Sequence, residues 1–232
     1  MQWLIFDAVG TLIRPRTPVA LTYHSYGATH GSRLSIEDVR DRFSVAFTHS
    51  EQLSFVEPGE PVPGLTTSEP AERCRWRWVV RRVFDDVPAE RTGPLFDALW
   101  QHYAQPAAWS LVDDADETLC ALHRDGWRQG VASNFDSRLD GILRGLGLAP
   151  PIESIVVSSR IGWRKPAVEF YRHLIEACGV SADEICVIGD NYEHDVAGPR
   201  WEGMRAVLLN HHAECDGPEC VRSLAALCAV LR

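Results

Sequence analysis

Short apolar runs recur along the chain, and they predict strands that are covered on both faces. Each run is continuous rather than alternating with polar residues, which suits a strand with helices on both sides of its sheet. Between the later runs, Leu, Ile or Phe recur at helical spacing in residues 114–124, 137–146 and 167–178. Strands that alternate with helices indicate an α/β fold with a central parallel sheet. The runs are WLIF (3–6), GVAS (130–133), SIVV (154–157), ICVIG (185–189) and AVLL (206–209).

The stretch from residue 15 to residue 108 breaks this alternation. It begins at the segment RPRTP and ends near QPAAW, and amphipathic helical patterns lie between them. In one pattern Val79 and Val83 share an apolar helical face, while a row of arginines lies on another face that we expect to be solvated. We therefore predict a small helical domain at 15–108, inserted into a core made of residues 1–14 and 109–232.

Composition narrows the function classes. The chain has 232 residues, is 45% hydrophobic and carries a formal net charge of -9. That is enough apolar content for a sizeable core, and the negative charge argues against nucleic-acid binding, which needs a basic face. No apolar stretch approaches the roughly 18 residues that span a bilayer. With no signal sequence before the first strand and with scattered cysteines, we expect a cytoplasmic protein with reduced thiols. We also expect a small-molecule substrate and no membrane partner. The oligomeric state is not predicted.

Four residues of zinc-ligand type lie close together near the end of the chain. His211, His212, Cys215 and Cys220 fall within ten positions. Their spacing does not match a familiar zinc site, and the segment follows an apolar run. A polar loop is the expectation here, with metal binding as the alternative.

Polar residues follow several of the predicted strands. In an open parallel sheet, ligands bind beyond the carboxyl ends of the strands, so these residues are expected to converge. Taken singly each has an ordinary structural explanation, such as a turn cap for an aspartate or a helix cap for a serine. Their combination in this order predicts a site. They are Asp7 after the first run, Ser133 and Asn134 at the second, Lys165 in GWRKP, and Asp190 and Asp195 after the fourth.

These residue types suggest covalent hydrolysis. A carboxylate such as Asp7 can attack phosphorus or carbon and so divide one hard displacement into two easier ones. Repulsion between that anion and a phosphate dianion would be removed by Mg2+ held by Asp7 and Asp190, with Asp195 in or behind the first shell. Ser133 can donate a hydrogen bond to a phosphoryl oxygen, and Lys165 adds a positive charge beside it.

At these residues the chain resembles the haloacid dehalogenase-like hydrolase superfamily. The resemblance covers the predicted core, about residues 1–14 and 109–210, and includes all four family motifs. The motifs align as D-x-D-x-T on Asp7 to Thr11, the serine on Ser133, the lysine on Lys165, and G-D-x-x-x-x-D on Gly189 to Asp195.

The resemblance implies a Rossmann-like core and a helical cap domain of the C1 type that covers the site and sets specificity. It implies that Asp7 forms an aspartyl-phosphate intermediate, with Ser133 and Lys165 as further catalytic residues and Mg2+ as cofactor. Thr11 and Asn134 join Ser133 and Lys165 as the expected substrate-binding residues. The expected activity is hydrolysis of a small phosphorylated substrate.

Val9 departs from the family pattern. Phosphatases of the family have an aspartate at this position, which protonates the leaving oxygen and then activates the attacking water. Valine has no proton to give, and loss of a positioned acid/base costs on the order of 10²- to 10⁴-fold in rate. The backbone carbonyl of Val9 can still ligate a metal ion. We therefore expect an intact nucleophile and metal site with low or altered turnover.

Two alternatives stay open. The family's 2-haloacid dehalogenases act without metal, also lack the second aspartate, and have a Ser-Asn pair like Ser133-Asn134, but they usually lack the Gly-Asp that begins GDNYEHD here. The second alternative is a catalytically weak or inactive binding protein, which the loss of an acid/base at Val9 motivates.

Overall fold

A computed structural model describes residues 2–56, 61–148, 151–210 and 219–231. The strands are β1 (Trp3–Phe6), β2 (Ile13–Pro15), β3 (Leu53–Ser54), β4 (Val62–Pro63), β5 (Trp109–Leu111), β6 (Arg128–Ser133), β7 (Ile152–Val157), β8 (Ile185–Gly189), β9 (Arg205–Leu209) and β10 (Cys220–Val221). The helices are α1 (Val19–Thr29), α2 (Ile36–Ser50), α3 (Glu69–Val83), α4 (Ala89–His102), α5 (Ala115–Arg124), α6 (Arg138–Gly145), α7 (Ser158–Ile161), α8 (Val168–Cys178), α9 (Gly198–Trp201) and α10 (Leu227–Val230).

The central sheet is parallel and has the strand order β10-β9-β8-β1-β6-β7. β1 lies in its middle, where Phe6 pairs with Val131 of β6 and Ile188 of β8. Its four residues are buried because helices cover both faces of the sheet. All five predicted runs form strands of this sheet, and the predicted α/β fold with a Rossmann-like core is confirmed.

Helices α1 to α4 lie between β2 and β5, two short strands that pair antiparallel and connect this helical unit to the rest of the chain. Val79 and Val83 of α3 are fully buried against Leu95 and Leu99 of α4 in a hydrophobic cluster separate from those beneath the sheet. Ser68 begins α3 by accepting a hydrogen bond from the N–H of Ala71. Because the apolar residues recur every three to four positions, one stripe of each helix is buried.

The helical unit packs on the carboxyl edge of the sheet through polar contacts. Arg164, in the loop before α8, is 2% exposed and donates to the carbonyl oxygens of Ser50 and Leu53. Glu69 at the start of α3 accepts from the Ser137 hydroxyl at 2.9 Å. A buried guanidinium without such acceptors would carry a large desolvation cost, so these bonds hold the helical unit over the sheet.

Two further predictions concern membrane-spanning segments and the redox state of the cysteines. Across the described ranges, no helix combines the length and apolar character that a membrane crossing requires. Cys178 and Cys186 are buried thiols, as expected, but Cys220 is disulfide-bonded, so the expectation of reduced cysteines is wrong there. The other potential zinc ligands, His211, His212 and Cys215, lie outside the described residues.

Candidate active site

The predicted site residues converge at the carboxyl edge of the sheet. Asp7 follows β1, Ser133 ends β6, and Asp190 follows β8, so parallel strands deliver all three to the same edge. Asp195 lies one turn later, in the π-helical segment Tyr192–Ala197. Lys165 reaches the same point from the loop before α8.

Lys165 is the centre of this cluster. Its ammonium Nζ lies 2.9 Å from Asp7 Oδ1 and 2.6 Å from Asp195 Oδ1, and its side chain is only 3% exposed. Burial alone would lower the pKa of Lys165, but the carboxylates of Asp195 and Asp7 outweigh it and raise the pKa. The ammonium group therefore stays charged at neutral pH and links the carboxylate of Asp7, after β1, to that of Asp195 in the π-helical segment.

Asn134 fixes the backbone at Lys165. Its side-chain amide nitrogen donates to the Lys165 carbonyl at 2.9 Å, and its Oδ1 accepts from the Lys165 N–H at 2.7 Å. Asn134 also lines the cavity described below. The side chain that we expected to bind substrate thus uses its amide group to position the lysine.

Three carboxylates face this single ammonium. Asp7, Asp190 and Asp195 each place one oxygen within 4.8 Å of the others. Burial raises the pKa of Asp7, an effect that Lys165 opposes and Asp195 reinforces. Burial, together with the charges of Asp7 and Asp195, raises the pKa of Asp190 to about 6. A cluster with excess negative charge and oxygen donors is the donor chemistry that suits Mg2+.

Two glycines make this convergence possible. Gly10 has φ +92, and a Cβ there would lie 2.2 Å from Asp190 Oδ2. At Gly189 a Cβ would lie 2.2 Å from Asp195 Oδ2. Any side chain at either position would displace a carboxylate, which explains the glycines beside the acidic residues in DAVG and GD. The second oxygen contact of Asp195, to the N–H of Asn191 at 3.1 Å, fixes its orientation.

Val9 and Thr11 share the turn after β1 but have different surroundings. Val9 lines the cavity and is 36% exposed. The backbone hydrogen bonds of this turn are accepted by the carbonyl oxygens of Ala8 and Ile13, and not by the carbonyl oxygen of Val9. Thr11 is fully buried and is not part of the cavity lining. Its hydroxyl has no hydrogen-bond partner within the described part of the chain. A substrate-binding role for Thr11 stays a prediction, and its placement gives that role no support.

A cavity of about 460 Å³ separates the carboxylates from the helical unit. Much of its lining is aromatic, including Tyr23, Phe43 and Phe47, which we did not predict as site residues. The four-residue spacing of Phe43 and Phe47 on α2 is the signal that indicates a shared face. His194 also lines the cavity, and burial lowers its pKa to about 4, so its imidazole is neutral at pH 7.

Known proteins share both the sequence pattern and the fold. Residues 1–203 match the family model for haloacid dehalogenase-like hydrolase. Human haloacid dehalogenase-like hydrolase domain-containing protein 3 is 31% identical over 212 residues, which are 90% of this chain and 82% of that protein. Ribulose-1,5-bisphosphate 5-phosphatase of Halopiger xanaduensis is 31% identical over 178 residues, 75% of this chain and 74% of that protein.

A solved structure extends the likeness over the whole chain. The 2-haloacid dehalogenase from Pseudomonas syringae pv. Tomato DC3000 superposes with a TM-score of 0.66 at 19% identity, covering 100% of this chain and 98% of that one. At this level of identity the likeness shows the shared fold.

Proposed function

Because this chain belongs to the haloacid dehalogenase-like hydrolase family, we propose that it is a Mg2+-dependent phosphohydrolase with a small phosphorylated substrate. The observation that carries the proposal is the convergence of Asp7, Asp190 and Asp195 on the buried Lys165. A metal-free displacement would use Asp7 as the nucleophile and Asp195 to hold Lys165, and it would leave Asp190 without a role. The relative from Halopiger, a phosphatase by name, supports the same reaction class.

The donor set fits a hard divalent cation. Asp7, Asp190 and the Val9 carbonyl would hold it, with Asp195 in or behind the first shell because both of its oxygens already accept hydrogen bonds. When bound, Mg2+ would offset the charge repulsion between the Asp7 carboxylate and the phosphate dianion.

The chain's own residues then account for the two displacements. Asp7 attacks phosphorus, the bond between phosphorus and the ester oxygen breaks, and the ester oxygen leaves. The Lys165 ammonium and the Ser133 hydroxyl stabilise negative charge on the phosphoryl oxygens. Water then attacks the phosphorus of the aspartyl phosphate, which restores the Asp7 carboxylate and releases inorganic phosphate.

Val9 determines which substrates react at a useful rate. No carboxyl group at this position protonates the leaving oxygen or removes a proton from the attacking water. Aryl and acyl phosphates, whose leaving groups are stable as anions, need less protonation and therefore react faster. The second displacement lacks its base for every substrate, so the aspartyl phosphate accumulates with those substrates whose first displacement is fast.

We also propose that residues 15–108 form the cap domain over a core of residues 1–14 and 109–232. The buried contacts of Arg164 with Ser50 and Leu53 support this division, since they hold the helical unit across the opening of the cavity. A closed unit of this kind excludes water from the reacting groups and strengthens their electrostatic interactions.

Phosphate release from a panel of phosphorylated compounds tests the proposal. The panel includes 4-nitrophenyl phosphate and acetyl phosphate, each assayed with Mg2+ and with excess chelator. We expect release that requires Mg2+, is abolished in Asp7→Asn and is retained in Asp113→Asn, a matched change at a surface carboxylate that is 81% exposed. No release from either of these activated phosphates in the presence of Mg2+ would contradict the proposal.

Val9 and the Ser133-Asn134 pair also favour a second candidate, hydrolysis of a carbon–halogen bond in a 2-halo acid. Here Asp7 would attack carbon and halide would leave, with no proton needed by the leaving group. Halide release from 2-chloropropionate that chelator does not affect would support this reaction over the phosphohydrolase. Saturable binding of phosphate esters without any turnover would instead indicate a binding protein.

A further inference from the structure

The cavity next to Asp7 is bounded by rings from five elements of the fold. Six of the aromatic residues that line it contact one another in succession, and we call them the aromatic wall. Tyr23 comes from α1, two phenylalanines come from α2, and the others come from α3, the end of α4 and β5. In order of contact, the aromatic wall consists of Trp109, Tyr103, Tyr23, Phe43, Phe47 and Trp76.

The spacing within the aromatic wall is that of interacting rings. Successive ring centroids are between 4.9 Å (Tyr23–Phe43) and 6.4 Å (Tyr23–Tyr103) apart. This falls within the range in which aromatic rings attract one another in edge-to-face and offset arrangements. The wall is therefore a preformed apolar surface that a further ring could join, and Val9 adds an apolar group at the end of the cavity where the carboxylates lie.

The arginines around the cavity are already engaged by protein groups. Arg75, 4% exposed, donates to the Ser50 hydroxyl at 3.0 Å and to Glu72 at 3.3 Å. Arg138 donates to both oxygens of Asp136, each at 2.8 Å. These protein acceptors occupy much of the donor capacity that a second anionic group on a substrate would need.

Two further charged residues belong to the lining. Arg164 directs its terminal nitrogens to backbone carbonyls, and its Nε is buried without a partner among the described residues. Glu51 also lines the cavity, and its carboxylate would repel an anion. Away from Asp7, the cavity thus favours an uncharged group and disfavours a carboxylate.

We propose that the substrate is a phosphate monoester that carries a compact aromatic group and no second anionic group. The phosphoryl group lies at Asp7 and Lys165, and the ring lies against the aromatic wall. A volume of about 460 Å³ is within the range of small-molecule sites. This inference rests on the proposed phosphohydrolase function and specifies its substrate class.

Binding of phosphonates tests the ring preference without turnover. In buffer with Mg2+, wild-type protein is titrated with phenylphosphonate, methylphosphonate and 4-carboxyphenylphosphonate, and tryptophan fluorescence or calorimetry gives each dissociation constant. We expect phenylphosphonate to bind on the order of tenfold or more tighter than methylphosphonate, because the ring buries apolar area against the wall. The carboxylated analogue is expected to bind more weakly than phenylphosphonate.

Variants locate the preference in the aromatic wall. Trp76→Leu and Phe43→Leu keep apolar volume while removing a ring, and each should reduce the phenyl-to-methyl preference several-fold. Trp201→Leu is the matched control, since Trp201 is 80% exposed and is not part of the cavity lining. Equal affinity for phenylphosphonate and methylphosphonate, or a preference that both wall variants leave unchanged, would overturn the inference.

Turnover separates this inference from the proposed function. Acetate is a better leaving group than 4-nitrophenolate, so a higher kcat/KM for 4-nitrophenyl phosphate than for acetyl phosphate would reflect recognition of the ring. Phosphate release from both compounds without that preference would overturn the aromatic substrate class and leave the phosphohydrolase proposal standing. Selective binding of phenylphosphonate without any phosphate release would support the ligand class and contradict the phosphohydrolase proposal.

Discussion

Replacing Val9 by aspartate should convert a slow phosphohydrolase into a faster one. The side chain at this position lines the cavity and is 36% exposed, so a carboxyl group there has space and partial access to solvent. It would also lie near the carboxylates of Asp7 and Asp190. Those neighbours matter because like charges raise the pKa of a carboxyl group.

The size of the effect follows from that environment. The neighbouring carboxylates of Asp7 and Asp190 would raise the pKa of a carboxyl group at position 9 above its usual value. A pKa closer to neutrality suits a group that must both donate and accept a proton at pH 7. Such a group contributes on the order of 10²- to 10⁴-fold in rate, which is about 3–5 kcal/mol of barrier.

Rapid mixing with 4-nitrophenyl phosphate and Mg2+ gives the assay. In the wild type we expect a burst of nitrophenolate that approaches the enzyme concentration, followed by slow steady-state release of phosphate. In Val9→Asp the burst should disappear and steady-state turnover should rise by the factor above. Val9→Asn is the matched control, because it has a similar shape and polarity but cannot transfer a proton, and it should stay as slow as the wild type.

Rapid turnover of the wild type, with no increase in Val9→Asp, would contradict this role of position 9. Another group would then supply the proton. Equal acceleration by Val9→Asp and Val9→Asn would also refute it, since polarity rather than proton transfer would be responsible.

Three other predictions test the site. Lys165→Met removes the ammonium between two buried carboxylates and should destabilise the metal-free protein by about 3–5 kcal/mol. Thermal unfolding should show a lower Tm than that of the wild type, and Mg2+ should restore part of the difference. An unchanged Tm would contradict this role of Lys165. Gly10→Ala should weaken Mg2+ binding at least about tenfold by calorimetry, whereas Gly126→Ala, with φ +89 but nothing within 4 Å, should not. The pKa of Asp190 is raised to about 6 in the folded protein, so ionisation of this carboxyl group opposes folding. The resulting loss of stability grows as the pH rises from about 4 through about 6. The metal-free Asp190→Asn protein should therefore be more stable than the wild type above pH 6 and equal to it near pH 4 in urea unfolding; a difference that does not vary with pH would contradict the assignment.

The sheet could be predicted because its signal is local. Each buried parallel strand is a continuous apolar run, and the rule that ligands bind beyond the carboxyl ends of strands places Asp7 and Asp190 together from their positions in the sequence alone. The strands β2 and β5 were not predicted, since each has only three residues and β2 contains Arg14 and Pro15, which weaken a strand pattern.

Features that depend on several distant elements could not be predicted in this way. The aromatic wall joins rings from five elements, and only the packing of the helical unit on the sheet brings them around one cavity. The same holds for Asn134, whose hydrogen bonds to the Lys165 backbone connect residues 31 positions apart. Sequence spacing identifies such residues as candidates, but tertiary contacts decide whether they hold substrate or position another side chain.

The central claim is that Asp7 becomes phosphorylated during turnover. The most direct measurement is acid quenching of the protein after incubation with 4-nitrophenyl phosphate and Mg2+, followed by peptide mass spectrometry. The wild type should carry phosphate on the peptide that contains Asp7, in an amount comparable to the enzyme because Val9 slows the second displacement, and Asp7→Asn should carry none. Phosphate release without a phosphorylated Asp7 peptide, or with the label on another residue, would contradict the account.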